Sequence, residues 1–312
     1  VIATVHLPLF PVGRPILAIG SPSPASANAV RRAGLIAREQ GVALHVLQVE
    51  PDTKGLAEAQ AAASTLCGQL QERLGIAIAL EVTTGDLLGH VVREAQNASL
   101  LVIGSARDNA LRERISGVSV DRLIRLCRVP TLVVKRQVGI ANERGAPLPE
   151  SGRYGRVLVA VDLEPTALRA VSAAAEIAPG ARAEAFHSVS ARGTHEASSP
   201  NAEHPGLVGS ARLALGRLLA PIGSDGPVPA VGFGRPGDAV LARARATGAE
   251  LVVLGKRQRG LLADFFLGSL TQFVLAGSDA DILILPATRM AAADLPAGQG
   301  EGLRSVKPQA EG

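Results

Sequence analysis

The sequence predicts an α/β protein built from two tandem open-sheet domains, each a five-stranded parallel sheet with helices on both faces. Three observations predict it. Short, nearly continuous apolar runs alternate with longer stretches of helical period, the pattern of strands covered on both faces by crossover helices. The succession is written twice within 312 residues, a length suited to two domains. From Ile103 to Val134 the first copy matches the second at a constant offset, so that Gly104 falls on Gly255 and Gly117 on Gly268.

The elements follow in order. A first strand at 15–20 (PILAIG) matches 156–162 (RVLVAVD). A helix at 27–40 places Val30, Ala33 and Ala37 on one face and stops at Gly41, a natural C-cap. Its counterpart at 166–178 presents Leu168, Val171 and Ala175 and ends before Pro179-Gly180. Second strands are expected at 43–49 and 183–189. Helices at 56–74 and 207–219 follow, then third strands at 78–82 and 228–231. Helices at 87–96 and 239–247 lead to fourth strands ending at Gly104 and Gly255. Helices at 118–126 and 269–276 lead to last strands at 129–134 and 280–285. The domain plan is an N-terminal extension at 1–14, a first domain at 15–136, a linker at 137–155 without periodicity, a second domain at 156–286, and a tail at 287–312. The tail is rich in Ala, Gly, Pro and charge and is expected to be disordered.

Composition excludes several function classes. Aromatic residues are only 2% and Trp is absent, against a single-strand nucleic-acid binder that needs flat side chains for stacking. The net charge of +4 reads as a solvated, Arg-rich surface, its densest basic stretch being Lys256-Arg257-Gln258-Arg259. Cys67 and Cys127 lie far apart with no metal-type spacing, so a reducing, cytoplasmic setting is expected. The six histidines show no ligand spacing, and no metal site is expected. No run of about 18 apolar residues suggests a membrane span, and the segment 1–12 makes a poor signal peptide. Gly232-Phe233-Gly234-Arg235-Pro236-Gly237 fits G-x-G-x-x-G, but it follows a third strand broken by Pro229 rather than the first strand of a βαβ unit. Neither a G-x4-G-K-(S/T) phosphate loop nor a G-x-S-x-G elbow occurs.

Several motifs together resemble a known family. Residues 157–162 (VLVAVD) look like the first strand of universal stress proteins, which ends in Val-Asp, and 44–49 (LHVLQV) resemble that family's second strand. Gly255, Gln258, Gly268 and Ser269 stand in the register of its nucleotide motif, Gly-x2-Gly-x9-Gly-(Ser/Thr). The similarity covers nearly everything in each half except the linker and the tails. The resemblance implies an adenine nucleotide alpha hydrolase-like fold and a stress-responsive regulatory role. It also implies binding of ATP or AMP, with Mg where ATP is bound, or in other members no nucleotide. It implies pairing through the last strand, so that 131–134 would meet 282–285 as an intramolecular pseudo-dimer. A further homodimer and an unknown protein partner fit the same pattern. A nucleotide-free tandem scaffold acting through protein contacts is the alternative. No catalytic base or nucleophile stands out, which leaves at most a weak ATPase.

The resemblance places the site in the second copy. Asp162 either accepts hydrogen bonds from the adenosine or caps the following turn. Ser188 would offer its main chain to the base, or is an ordinary strand end, and His187 beside it reads as a packed, hydrogen-bonded residue. Gly268 and Ser269 open the last helix, whose free N–H groups and dipole attract phosphate. Alternatively Ser269 is a plain N-cap. Thr271 would add a hydroxyl. Gln258 stands where the family has its second glycine, as Arg107 does in the first copy. In that copy Gly20 is taken to replace the aspartate, Gln48 the histidine and Val118 the Ser/Thr, so the second copy should bind better.

Overall fold

The structure is a computed structural model that describes residues 10–105, 114–115, 118–138, 153–190, 205–255 and 268–286. The first copy runs β1 (Ile16–Gly20), α1 (Pro24–Gln40), β2 (Leu44–Glu50), α2 (Leu56–Leu74), β3 (Ile78–Thr84), α3 (Leu87–Ala95) and β4 (Leu100–Gly104). A two-strand ribbon, β5 (Arg114–Ile115) and β6 (Val118–Ser119), precedes α4 (Val120–Leu126) and β7 (Thr131–Val134). The second copy runs β8 (Arg156–Ala160), α5 (Leu168–Ile177), β9 (Arg182–Val189), α6 (Pro205–Leu219) and β10 (Val228–Phe233). It closes with α7 (Pro236–Thr247), β11 (Leu251–Gly255), α8 (Ser269–Gly277) and β12 (Asp281–Leu285).

Ten strands form one sheet in the order β10-β9-β8-β11-β12-β7-β4-β1-β2-β3. Each copy contributes five parallel strands, and the copies join where β12 and β7 pair antiparallel. Ile282 faces Val133, Leu283 faces Leu132, and Ile284 faces Thr131, the pairing implied by the resemblance. Strands β1, β4, β7 and β12 are buried along their full length. Alternate side chains feed two apolar layers that each run through both copies. One holds Ile16, Val102, Leu132, Val159 and Leu283 under α1, α2, α5 and α6. The other holds Leu17, Ile103, Val133, Leu158 and Ile284 under α3, α4, α7 and α8. Each fully buried Leu or Ile contributes about 1.5–3 kcal/mol, so pairing the last strands covers two apolar edges that neither copy could leave in water.

The duplication extends to turn geometry. Gly85 and Gly234 follow the third strands with φ of 126° and 127°, and each donates its N–H to the end of the second strand, Gly85 to Glu50 O and Gly234 to Val189 O. Register corrects one sequence alignment. Ile16 pairs with Leu44 and Leu100, and Val157 pairs with Ala183 and Leu251. On that register Gly20 corresponds to Val161, and Ser21, not Gly20, stands where Asp162 does. Gln48 does match His187.

Other boundaries also shift for local reasons. Helix α1 begins at Pro24 rather than 27, because Ser23 caps it by accepting from Ser26 N–H and proline suits the first helical position. Helix α7 likewise starts at Pro236. In place of a helix from 166, a 3-10 turn at Pro165–Ala167 precedes α5. Residues 118–119 are spent on the ribbon, so α4 starts at Val120. Pro229 does not break β10, because this strand lies at the outer edge of the sheet, where a missing N–H costs no ladder bond. The linker's end is not loose: Tyr154 is 2% exposed.

Tyr154 belongs to a buried polar cluster at the join. Asp281, fully buried, accepts from the backbone N–H groups of Lys135 and Arg136, both at 2.8 Å, and from Tyr154 OH at 2.8 Å. Arg32 Nε lies 3.3 Å from the same carboxylate, and its guanidinium sits over the Tyr154 ring, 4.6 Å from the centroid. Lys135 Nζ donates to Leu275 O and Ser278 O. Burial pushes the Tyr154 phenol well above its ordinary range. The Arg32 charge opposes this and the Asp281 charge and hydrogen bond reinforce it. Nearby, Glu250 accepts from Gly155 N–H at 2.6 Å and pairs with Arg136 and Arg156, each at 3.7 Å.

Candidate functional site

In each copy the first and fourth strands lie side by side, while the chain leaves them in opposite directions across the sheet. The loops after their carboxyl ends therefore diverge and leave a crevice, the usual ligand position in open α/β sheets. In the second copy this is the space beyond Ala160 and Gly255.

Asp162 lies two residues past β8 and is half-buried. Its Oδ1 accepts Glu164 N–H at 3.3 Å, which holds the turn into Pro165–Ala167. His187, on β9, places Nδ1 3.0 Å from Val161 O and so braces the segment that carries Asp162. Gly255 ends β11 and is exposed, and a Cβ built on it meets no described atom within 4 Å. Gly268, not Ser269, is the N-cap of α8, with φ −57° and ψ 148° and no side-chain cap bond. Ser269 is exposed at the first helical position, so neither side chain covers the helix mouth. Uncapped N–H groups at the positive end of a helix attract an anion.

Two hydroxyl-bearing side chains near the crevice are held within the fold. Thr271 is 4% exposed and shares the packed face of α8 with Val274 and Leu275, three and four residues on. Ser188 Oγ donates to Gly234 O at 3.0 Å, tying the end of β9 to the turn after β10. Gln258, with Lys256, Arg257 and Arg259, lies outside the described residues, as do Arg107 and Gly117.

The equivalent crevice of the first copy is filled by its own chain. A Cβ on Gly104 would collide with Ala25 O and the Ser26 N–H, because the first turn of α1 sits directly on the end of β4. Ser26, 3% exposed, donates its hydroxyl to Ile19 O at 2.8 Å and fixes that turn in place. Here α1 is already α-helical from Pro24, whereas the equivalent residues Pro165–Ala167 form a 3-10 turn. The two matching glycines thus have different surroundings: Gly104 permits close packing of a helix, and Gly255 meets no such contact among the described residues.

The glycines of the G-x-G-x-x-G run are also accounted for by packing. A Cβ on Gly232 would strike the Phe186 ring, and one on Gly237 the Phe273 ring, while Gly234 holds the positive φ of the turn. Among the described residues no cluster of three or more His, Cys, Asp or Glu could hold a metal ion. Among the same residues no helix is long and apolar enough to cross a membrane.

The fold and crevice define a class: duplicated open-sheet α/β proteins whose ligand position lies at the strand switch point. The model of the universal stress protein family matches twice, over residues 14–135 and 153–286. The chain belongs to the universal stress protein family, as a tandem member carrying two such domains. Among solved structures it is similar to a universal stress protein from Archaeoglobus fulgidus, with 19% identity and a TM-score of 0.62 over 89% of this chain and 98% of that one. A functionally unknown protein from Pseudomonas aeruginosa PAO1 is similar at 22% identity and a TM-score of 0.61, over 89% of this chain and 94% of that one. No curated protein matches by sequence.

Proposed function

We propose that the protein is a stress-responsive regulator that binds an adenine nucleotide, ATP or AMP, in the crevice of its second copy. The observation that carries this is the contrast between the two crevices. Ala25 and Ser26 occupy the space at Gly104, whereas the space at Gly255 is clear of described atoms, beside the strand end that leads to Asp162. The N-cap residue of α8 supplies no side-chain cap to that helix. In this reading the Asp162 carboxylate accepts from the ribose or base, Gly255 and Gly268 allow close approach, and Ser269 with the first-turn N–H groups of α8 receives phosphate. Mg would enter with ATP, held by the phosphates. The output is a change in conformation or partner binding.

Titration calorimetry of the full chain with ATP and AMP tests this. Binding is expected, and Asp162→Ala should weaken it about ten- to a hundredfold, the worth of a hydrogen bond to a charged group. No heat at millimolar ligand, or an unchanged affinity in Asp162→Ala, would defeat it.

A nucleotide-free scaffold is the second reading. It is favoured by the burial of Thr271, whose hydroxyl is expected at the site. Mass spectrometry of small molecules released on denaturing the purified protein separates the two, since release of ATP, ADP or AMP excludes the scaffold reading.

A further inference from the structure

The pseudo-two-fold axis of the molecule passes between Leu132 and Leu283, which face each other at the centre of the β7–β12 pair. The join therefore has two ends that are equivalent by duplication. Asp281 at one end corresponds to Pro130 at the other, Lys135 to Pro286, Glu250 to Ser99 and Asp279 to Arg128.

The two ends have opposite chemistry. At the first, Asp281 and Glu250 pair with Arg32, Arg136 and Arg156, and Asp281 and Tyr154 are buried. At the second, every carboxylate has been replaced, and a cavity of about 370 Å³ opens between the copies. Arg14 and Arg128 reach it from the first copy and Arg169 from the second. Pro130 and Pro286 form part of its wall, and no acidic residue among the described ones lines it. Arg14 is oriented by donating to Gln96 O at 2.9 Å. Arg128 and Arg169 pair with no carboxylate among the described residues. Burial without a counter-charge pulls the Arg169 guanidinium below its ordinary value, although an arginine keeps its charge.

Three arginines line this one cleft, Arg14 and Arg128 exposed and Arg169 half-buried, and no described carboxylate among the lining residues offsets their charge. An arrangement of this kind suits an anion that supplies several acceptor oxygens, because guanidinium forks match phosphate oxygens. We propose that the cleft at the Pro130–Pro286 end of the join binds a small oligophosphate, which bridges the two copies and supplies the negative charge that Asp281 supplies at the other end. The site shares no residue with the crevice at Asp162 and Gly255, so it stands or falls apart from the nucleotide reading. The oligophosphate is either an inorganic chain or the phosphate tail of a nucleotide.

The test uses the full chain in phosphate-free buffer, with inorganic tripolyphosphate as the probe in calorimetry and thermal melting. Tripolyphosphate is expected to bind, to raise the melting temperature, and to weaken as salt is added. Replacing one guanidinium, in Arg128→Gln or Arg169→Gln, should cost about tenfold in affinity, and the double variant about a hundredfold. Without ligand the double variant should melt close to the parent temperature, because neither side chain pairs with a described carboxylate, and this also shows that it is folded. AMP binding at the second-copy crevice should be the same in parent and double variant. If ATP loses affinity in the double variant while AMP does not, the natural ligand is the nucleotide tail; if only tripolyphosphate does, it is the inorganic chain. The proposal is overturned if tripolyphosphate fails to bind the parent at millimolar concentration, or binds parent and double variant alike.

Discussion

Asp281→Ala is the sharpest probe of how the two copies are held together. The side chain is fully buried, accepts three hydrogen bonds and faces the Arg32 guanidinium at 3.3 Å. Each hydrogen bond to a charged group is worth about 1.5–3 kcal/mol. These terms do not add, because the four partners share one acceptor. Breaking a buried ion pair by removing one partner costs about 3–5 kcal/mol, largely because the remaining charge is left uncompensated. We take that range as the expected loss, a large fraction of the roughly 5–15 kcal/mol that holds a typical domain folded. Tyr154→Phe removes one donor and should cost about 1–2 kcal/mol. In the double variant the loss should be smaller than the sum by at least about 1 kcal/mol, since Tyr154 OH has no carboxylate to meet once Asp281 is gone. Urea denaturation followed by circular dichroism measures all three. An Asp281→Ala loss below about 1 kcal/mol, or strictly additive effects, would refute the view that this cluster locks the join.

Three further outcomes follow from the same structure. Tyr154 is the only tyrosine and Trp is absent, so phenolate absorbance reports this side chain alone. Its folded pKa is raised, so the stabilisation is complete below the unfolded value of about 10 and is lost as pH rises beyond it; absorbance should stay silent above pH 10 until the chain unfolds, and a reversible titration near 10 in the folded protein would contradict the burial. Gly104→Ala should destabilise by about 1–3 kcal/mol through its collision with Ala25, as overpacking does, whereas Gly255→Ala should be nearly neutral in a thermal melt. Glu184→Gln, which breaks a two-pronged contact with the 41% exposed Arg243, should cost no more than about 1 kcal/mol by the same assay, because solvent screens the pair.

Periodicity and repetition made the architecture readable, because strands such as 16–20 and 251–255 are apolar on both faces and can belong only in a sheet covered twice. Pairing of the last strands was readable too, but through family resemblance rather than through any local signal. What escaped reading depended on distance in space. Nothing near Gly20 in the sequence says that Ala25 comes to rest on Gly104, although Ser23-Pro24 does carry a recognisable start for α1. Tyr154 and Asp281 sit in unremarkable surroundings along the chain, one at a linker's end and one before an apolar run. Only folding shows that they share a hydrogen bond. The aspartate's counterpart was misplaced by one residue because glycine at the end of β1 looked like the end of the motif, and strand register was needed to move it to Ser21.

The antiparallel meeting of β7 and β12 within one polypeptide has an evolutionary consequence. In an assembly of two identical subunits, every substitution at the contact is made twice, once on each side of the axis, so an acid placed at one end must reappear at the other. A fused pair escapes that rule. Here Asp281 could arise opposite Pro130 without a twin, and the contact became polarised, sealed by the chain's own carboxylates on one side and open on the other. Dilution cannot separate the halves either, which leaves each free to drift toward a different task.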